Sequence, residues 1–102
     1  MPSDPRARAI AALRFRALGD ETRLLLLERL SLGEQCVADL MDATGLGQSL
    51  VSHHLRTLRT AGLVHDRRDG RWIFYSLAEP ALAAVRATVY EIERLPDEVV
   101  DL

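Results

Sequence analysis

The fold is decided by residues 45–77, which read GLGQSLVSHHLRTLRTAGLVHDRRDGRWIFYSL. Two glycines at the start, Gly45 and Gly47, predict a sharp helix-to-helix turn, because glycine adopts positive φ values without a steric penalty. Apolar side chains then recur at helical spacing over residues 48–61. The dipeptide Asp69-Gly70 lies between two runs rich in β-forming residues, which is a signal for a hairpin. The stretch therefore predicts a turn, a helix and a β-hairpin, in that order.

Helices are predicted on both sides of this stretch. Before it, apolar periodicity indicates helices over residues 6–18, 21–32 and 35–44. The second of these should be nearly all buried, because it contains the run LLLL at residues 24–27. After the hairpin, a last helix begins at Glu79 and ends before Pro96. The chain is thus predicted to be mainly α with one small β-hairpin.

The last predicted helix has an apolar seam. Leu82, Val85, Val89 and Ile92 follow one another at spacings of three and four residues, as in a heptad pattern. A seam of this kind needs a partner surface to cover it.

Length and composition exclude several classes of protein. A chain of 102 residues with 48% hydrophobic and 27% charged residues fits one domain with one core. No apolar run approaches the roughly 18 residues of a membrane span, and the N-terminus does not resemble a secretory signal, so we expect a cytoplasmic protein. Cys36 is the single cysteine, which excludes a disulfide framework within one chain. No catalytic motif is recognisable, so we expect no enzyme activity.

The distribution of charge points to nucleic acid. The whole chain has a net charge of −2, yet residues 43–78 contain five arginines against two aspartates. Positive charge concentrated in one segment is typical of a surface that binds the phosphate backbone. The same segment holds the predicted helix pair and hairpin, which together form a helix-turn-helix followed by a wing.

The predicted recognition helix and wing supply the candidate DNA-binding residues. Residues near the start of the helix are placed to reach base edges and phosphates, whereas wing arginines mainly contact phosphate. The candidates are Gln48, Ser49, Ser52, His53, Arg56, Arg59, Arg67, Arg68 and Arg71. His54 could either pack in the core or make a polar contact. An alternative is a winged-helix module that binds protein, because fold alone does not determine function.

Four motifs in this order resemble the ArsR/SmtB family of winged-helix repressors. They are ALGDETRL at 17–24, EQCVADL at 34–40, SLVSHHLRTLRTAGLV at 49–64 and DGRWIFYSL at 69–77. The similarity extends over residues 13–95. The resemblance agrees with the single winged helix-turn-helix domain of order ααααββα that the residues predict over 1–102, with frayed tails at 1–5 and 97–102. It also implies a homodimer paired through its first and last helices, which binds a palindromic operator and leaves it when an effector, usually a metal ion, binds.

The resemblance also suggests a metal site on the third predicted helix. Cys36 and Asp39 are three residues apart and match positions that the family uses for metal ligands. Ala38 stands where the arsenic-type pattern has a second cysteine, which argues against arsenite as the effector. We expect a divalent transition metal such as nickel or zinc, with further ligands not identified.

The sequence also offers alternatives to this effector site. The family's site on the last helix is predicted to be lost, because Ala81, Ile92 and Leu95 replace its ligands beside Glu79. A site of oxygen and nitrogen ligands remains an alternative, drawing on Glu91, Glu93, Asp97, Glu98 or His65. A third alternative is a thiol-based redox response through Cys36.

Overall fold

The computed structural model describes residues 4–94, which form five helices and a three-stranded antiparallel sheet. The element bounds are α1 (Pro5–Leu18), α2 (Glu21–Leu30), β1 (Gln35–Cys36), α3 (Val37–Thr44), α4 (Gln48–Thr60), β2 (Val64–Asp69), β3 (Trp72–Leu77) and α5 (Glu79–Glu93). The predicted helix-turn-helix corresponds to α3 and α4, and the predicted wing to β2 and β3. The predicted fold class is confirmed, with one strand more than the sequence indicated.

The first two helices begin at aspartate caps. The Asp4 side chain accepts a hydrogen bond from the backbone N–H of Arg6 at 3.1 Å, and Pro5 is the first helical residue of α1. Asp4 and Pro5, which we predicted to belong to a frayed tail over residues 1–5, are thus the N-cap and the first residue of α1, and residues 1–3 lie outside the described residues. Asp20 caps α2 in the same manner, accepting from the N–H of Arg23 at 3.0 Å. The predicted tail at 97–102 lies outside the described residues.

The core is built from aliphatic side chains of the helices and the sheet. Its largest fully buried members are Leu26, Leu40, Leu55, Leu58, Leu63 and Val51. The prediction that α2 is nearly all buried is wrong, because the side chains of Leu24 and Leu25 are 50% and 38% exposed. A helix packed against one layer buries one face, so two leucines of the run necessarily lie on the other.

One of the two turn glycines between α3 and α4 has the conformation that the sequence predicted. Gly45 lies in the left-handed region with φ +74°, and its N–H donates to the carbonyl of Met41 at 2.8 Å, which closes α3. Gly47 instead has φ −75° and is the N-cap of α4. The expectation of positive φ was therefore correct for Gly45 and wrong for Gly47.

A short strand precedes α3 where the sequence predicted helix. Gln35 and Cys36 are extended and pair with Tyr75 and Phe74 of β3, so the sheet has the order β1-β3-β2. The Gln35 side chain donates to the carbonyl of Arg29 at 2.5 Å, which holds the strand against the end of α2. The predicted helix over 35–44 consequently begins two residues later.

The hairpin turn is also shifted by one residue from its prediction. Asp69 pairs with Trp72, so the two loop residues are Gly70 and Arg71. Gly70 has φ +60° and no residue other than glycine has positive φ within 4–94, which is the pattern of a type II′ turn.

The helices α1 and α5 pack together and leave apolar side chains uncovered. Ile10 on α1 and both Val89 and Ile92 on α5 are exposed. The first half of the predicted seam, Leu82 and Val85, is half-buried against the core of its own chain. Within residues 4–94, no helix is both long enough and apolar enough to cross a membrane.

Candidate nucleic-acid interface

The predicted recognition helix α4 has one buried and one exposed face. Val51, Leu55 and Leu58 have no exposed surface and anchor the helix in the core. Their spacing turns the remaining positions outward. Five of the predicted DNA-binding side chains are exposed on this helix and Ser52 is half-buried; the exposed ones are Gln48, Ser49, His53, Arg56 and Arg59.

The N-terminus of α4 is open. Its N-cap is Gly47, and within the described residues no side chain accepts a hydrogen bond from the N–H groups of the first turn. Those N–H groups and the positive end of the helix dipole favour an anion at this point. The arrangement suits a phosphate bound at the first turn, next to Gln48 and Ser49.

The start of α4 and the tip of the wing line one cleft. Gln48 and Ser52 of α4, Arg71 of the turn and Trp72 of β3 surround a volume of about 280 Å³. Residues that the sequence assigned to DNA from two separate elements therefore lie on one surface. A groove-shaped surface with amide, hydroxyl and guanidinium groups can contact base edges and backbone together.

Arg67 of the wing is held by an acidic partner. Its guanidinium donates to Glu34 at 2.7 and 3.1 Å in a bidentate pair and lies 4.7 Å from the centre of the Phe74 ring. The hydrogen bond from Arg67 lowers the pKa of Glu34, and the same bond raises the pKa of Arg67. The charge of Arg67 is thus largely compensated, and the pair ties β2 to the turn before β1.

Arg59 has a similar role at the other end of the wing. It donates to Asp66 of β2 at 2.9 Å, which links the last turn of α4 to the sheet. By contrast, the side chains of Arg56 and Arg68 have no hydrogen-bond or ionic partner among residues 4–94, and Arg71 stacks over the Trp72 ring at 5.2 Å. The five arginines among the nine candidates therefore divide into two that are paired with acidic residues, Arg59 and Arg67, and three that are not, a distinction the sequence did not reveal.

His54 lies away from this surface. It is 8% exposed, and its Nδ1 is 3.1 Å from an Arg23 guanidinium nitrogen and 3.8 Å from an Asp20 carboxylate oxygen. Because a guanidinium only donates, Nδ1 is the acceptor in this contact. Both alternatives for His54 therefore apply, since it is packed in the core and also makes a polar contact.

Trp72 is a candidate that sequence reasoning missed. It is the single tryptophan of the chain and is 47% exposed beside Gln48, Ser52 and Arg71. A large exposed aromatic side chain on a monomer surface often marks an interaction site. The available signal was its position directly after Arg71 in the hairpin.

Cys36 and Asp39 are not placed as two residues on one helical face. Cys36 belongs to β1, is the N-cap of α3 and is 8% exposed, whereas Asp39 is an exposed residue in the first turn of α3. No group of three or more His, Cys, Asp or Glu side chains within 4–94 is arranged to hold a metal ion. Transition-metal sites in proteins use three or four protein ligands, so the described residues of one protomer do not fit such a site. Asp97 and Glu98, named in the alternative site, lie outside the described residues, as does Leu95.

Comparison with protein families supports the interpretation reached from the geometry. Residues 20–66, from the cap of α2 to the start of the wing, match the model described as bacterial regulatory protein, arsR family. The matched range contains α3, the turn and α4.

Individual relatives extend the match to most of the chain. The HTH-type transcriptional regulator NmtR of Mycobacterium tuberculosis is 42% identical over 92% of this chain and 79% of its own length. The arsenical resistance operon repressor of Escherichia coli is 48% identical over 69% of this chain and 62% of its own length. The solution structure of a homodimeric winged helix-turn-helix DNA-binding domain from Mycobacterium bovis, described as a possible ArsR-family regulator, superposes with a TM-score of 0.72. It is 31% identical, over 95% of this chain and 94% of that structure. The chain therefore belongs to the ArsR family of winged helix-turn-helix transcriptional regulators.

Proposed function

We propose that this protein is a homodimeric repressor that binds a palindromic operator and is released from it by an effector. The observation that carries the proposal is the common cleft of α4 and the wing, where Gln48 and Ser52 lie beside Arg71. In this arrangement the start of α4 enters the major groove, and the wing lies along the backbone beside it.

The dimer is proposed from the uncovered apolar face of α1 and α5. Ile10, Val89 and Ile92 are exposed, and a second copy of the chain offers the same surface across a two-fold axis. The structural neighbour from Mycobacterium bovis is described as homodimeric, which supports this choice of partner. Two α4 helices related by such an axis would read two half-sites of a palindrome.

The side chains then take different roles. Gln48, Ser49, Ser52 and His53 would contact base edges and nearby phosphates from the first turns of α4. Arg56, Arg68 and Arg71 would bind phosphates, because no acidic partner within 4–94 competes for them. Arg59 and Arg67 would position the wing through Asp66 and Glu34, with less charge left for DNA.

Substitutions of Arg67 and Arg68, which are neighbours in β2, test the proposed DNA binding. A pool of random-sequence duplexes of about 30 base pairs is long enough for two half-sites one helical turn apart. We expect Arg68→Ala to weaken binding about 5- to 10-fold and to reduce the slope of log K against log salt by about 0.9 per protomer. Arg67→Ala should change that slope less. Arg86→Ala, which removes an exposed arginine from α5, should leave both quantities unchanged.

Fluorescence anisotropy of the labelled pool measures both effects. If the wild-type chain fails to bind DNA at low salt, the repressor proposal is wrong and the alternative of a protein-binding winged helix becomes the better account. If Arg68→Ala and Arg86→Ala are equivalent, the wing does not contact phosphate.

The proposal for the effector is less specific than the proposal for the DNA-binding residues. The names of relatives link some members of the family to arsenical or mercury resistance, which supports a metal ion as the class of effector. Nickel or zinc remains our proposal for this chain, with Cys36 and Asp39 as the first candidate ligands. Because these two do not complete a site among the described residues of one protomer, additional ligands have to come from the second protomer or from residues outside 4–94.

Calorimetric titration of the metal-free protein with nickel, zinc and cobalt tests this. Binding that Cys36→Ser abolishes supports a thiolate site at β1, and binding that survives the substitution supports an oxygen and nitrogen site elsewhere. Absence of binding by all three ions rules out these metal-sensor proposals. The redox alternative is disfavoured by geometry, because Cys36 is 8% exposed and reactive thiols are accessible to solvent.

A further inference from the structure

A second cleft lies between the end of α1 and α4, away from the wing. It has a volume of about 370 Å³ and is walled by Arg16 of α1, Arg23 of α2, and His53 and Arg56 of α4. The apolar part of its lining comes from Leu13 together with Ala17 and Ala61. Arg16 and Arg23 belong neither to the helix-turn-helix nor to the wing, and no DNA contact was assigned to them from the sequence.

The side chains that line the cleft carry positive charge, and Asp20, which is not part of the lining, offsets part of the charge of Arg23. The lining contains three arginines and no aspartate or glutamate. The side chains of Arg16 and Arg56 are exposed and have no hydrogen-bond or ionic partner among residues 4–94. Like charges held near one another repel, and an anion between them relieves that repulsion.

Hydrogen bonds hold Arg23 in place in the lining of the cleft. Its Nε donates to the carbonyl of Ala17 at 2.6 Å, and one terminal nitrogen donates to His54 Nδ1 at 3.1 Å. The other terminal nitrogen is 3.4 Å from the carbonyl of Arg16. The floor of the cleft is therefore ordered by hydrogen bonds, whereas Arg16 and Arg56 at its walls are left available.

The position of the cleft beside the exposed face of α4 indicates which anion it would bind. His53 and Arg56 lie on the exposed face of α4 that we propose binds DNA, so the cleft borders that face. We propose that this cleft holds a backbone phosphate of the bound DNA, with Arg16 as a contact from α1 that clamps α4 from the side opposite the wing. This inference rests on the proposed function and adds a phosphate contact outside the helix-turn-helix.

The test compares Arg16→Ala, Arg16→Lys and Arg86→Ala on the same random-sequence duplex of about 30 base pairs. We expect Arg16→Ala to weaken DNA binding about 5- to 10-fold and to lower the salt slope by about 0.9 for each protomer. Arg16→Lys retains the charge and should keep most of the slope. Arg86→Ala removes the same charge from a distant surface and should behave as the wild type. Thermal melting by circular dichroism checks that each variant is folded.

The outcomes separate this inference from the proposed function. If Arg68→Ala weakens binding but Arg16→Ala has the wild-type affinity and salt slope, the cleft does not hold phosphate and only this inference fails. If the wild-type chain does not bind DNA, the proposed function fails as well. Titration with inorganic pyrophosphate without DNA tests a free anion as the occupant. Pyrophosphate binding that requires Arg16, together with unchanged DNA affinity of Arg16→Ala, would overturn the assignment to DNA.

Discussion

At the residue scale, Arg23 connects α2, on which it lies, with α1 and α4. Its backbone N–H satisfies the Asp20 cap of α2, its Nε reaches the end of α1 at Ala17, and a terminal nitrogen reaches His54 of α4. The planar guanidinium presents several donors in fixed directions, which a lysine ammonium cannot reproduce. The motif residue Arg23 therefore has a structural function that its sequence position did not disclose.

Replacement of Arg23 by lysine should destabilise the fold although the charge is kept. We expect Arg23→Lys to lower the free energy of unfolding by about 2 kcal/mol, because hydrogen bonds from a charged donor to partly buried acceptors are lost. Urea denaturation measures the change, with Arg86→Lys as the exposed control. Identical midpoints for Arg23→Lys and wild type would contradict the role assigned to the guanidinium.

The lowered pKa values of two carboxylates, Asp20 and Glu34, allow a prediction of how stability changes at acid pH. The hydrogen bond from the N–H of Arg23 lowers the pKa of Asp20 from its ordinary 3.8, and the hydrogen bond from Arg67 lowers the pKa of Glu34 from 4.5. A pKa lower in the folded state means that the contribution is complete above the unfolded pKa and is lost as pH falls through the folded one. Acid below about pH 4 should therefore destabilise the protein.

The double variant Asp20→Asn with Glu34→Gln tests this dependence. Asparagine still caps a helix, and neither replacement titrates, so the melting temperature of the variant should fall less between about pH 5 and pH 2. The measurement is thermal melting across that range. Parallel curves for variant and wild type would show that other groups determine the acid sensitivity.

At the element scale, the sequence predicted helices with a strong apolar period and failed where long-range pairing decides. The bounds of α4 were correct to one residue because Val51, Leu55 and Leu58 repeat on one face. Strand β1 was missed because its two residues are extended only through pairing with β3, some 38 residues away in sequence. The leucine run of α2 has no polar interruption, so its sequence did not show which face is exposed.

The pairing of Arg67 in the wing is likewise a long-range contact that the sequence could not predict. Arg67 and Glu34 are 33 residues apart, so no local pattern links them, and the charge count of the segment treats both arginines of β2 alike. The division between Arg67 and Arg68 depends on the turn before β1 lying beside the wing. The basic surface formed by α4 and the wing could be predicted from the sequence. Which of its arginines are paired with acidic residues could be seen only in the fold.

The exposed face of α5 yields a prediction at this scale. Val89→Glu should leave the protomer folded, because Val89 is exposed in one chain, but should separate the dimer by burying two like charges. Sedimentation velocity should show a monomer. Ala87→Glu adds the same charge to an exposed position of α5, on the opposite side of the helix, and should remain dimeric. If both variants sediment as the wild type does, the dimer uses another face.

At the scale of the whole molecule, charge is separated along the chain. The net charge of −2 conceals an arginine-rich stretch over 43–78 and an acidic remainder. Such an asymmetry orients the protein as it approaches DNA, because the basic surface is attracted and the acidic one repelled. The fold places a basic surface at α4 and the wing, and we propose that the exposed apolar faces of α1 and α5 bind the second copy. In this proposal, DNA recognition and dimerisation use different faces of the protein.

The most direct test of this account is hydroxyl-radical footprinting on the duplex that the wild-type protein enriches from a random-sequence pool. We expect an enriched inverted repeat, protected at two half-sites about one helical turn apart and on one face of the duplex. That pattern would require two copies of α4 with a fixed spacing. An enriched sequence with a single protected half-site, or no enrichment at all, would contradict the proposal that a homodimer reads a palindrome through α4 and the wing.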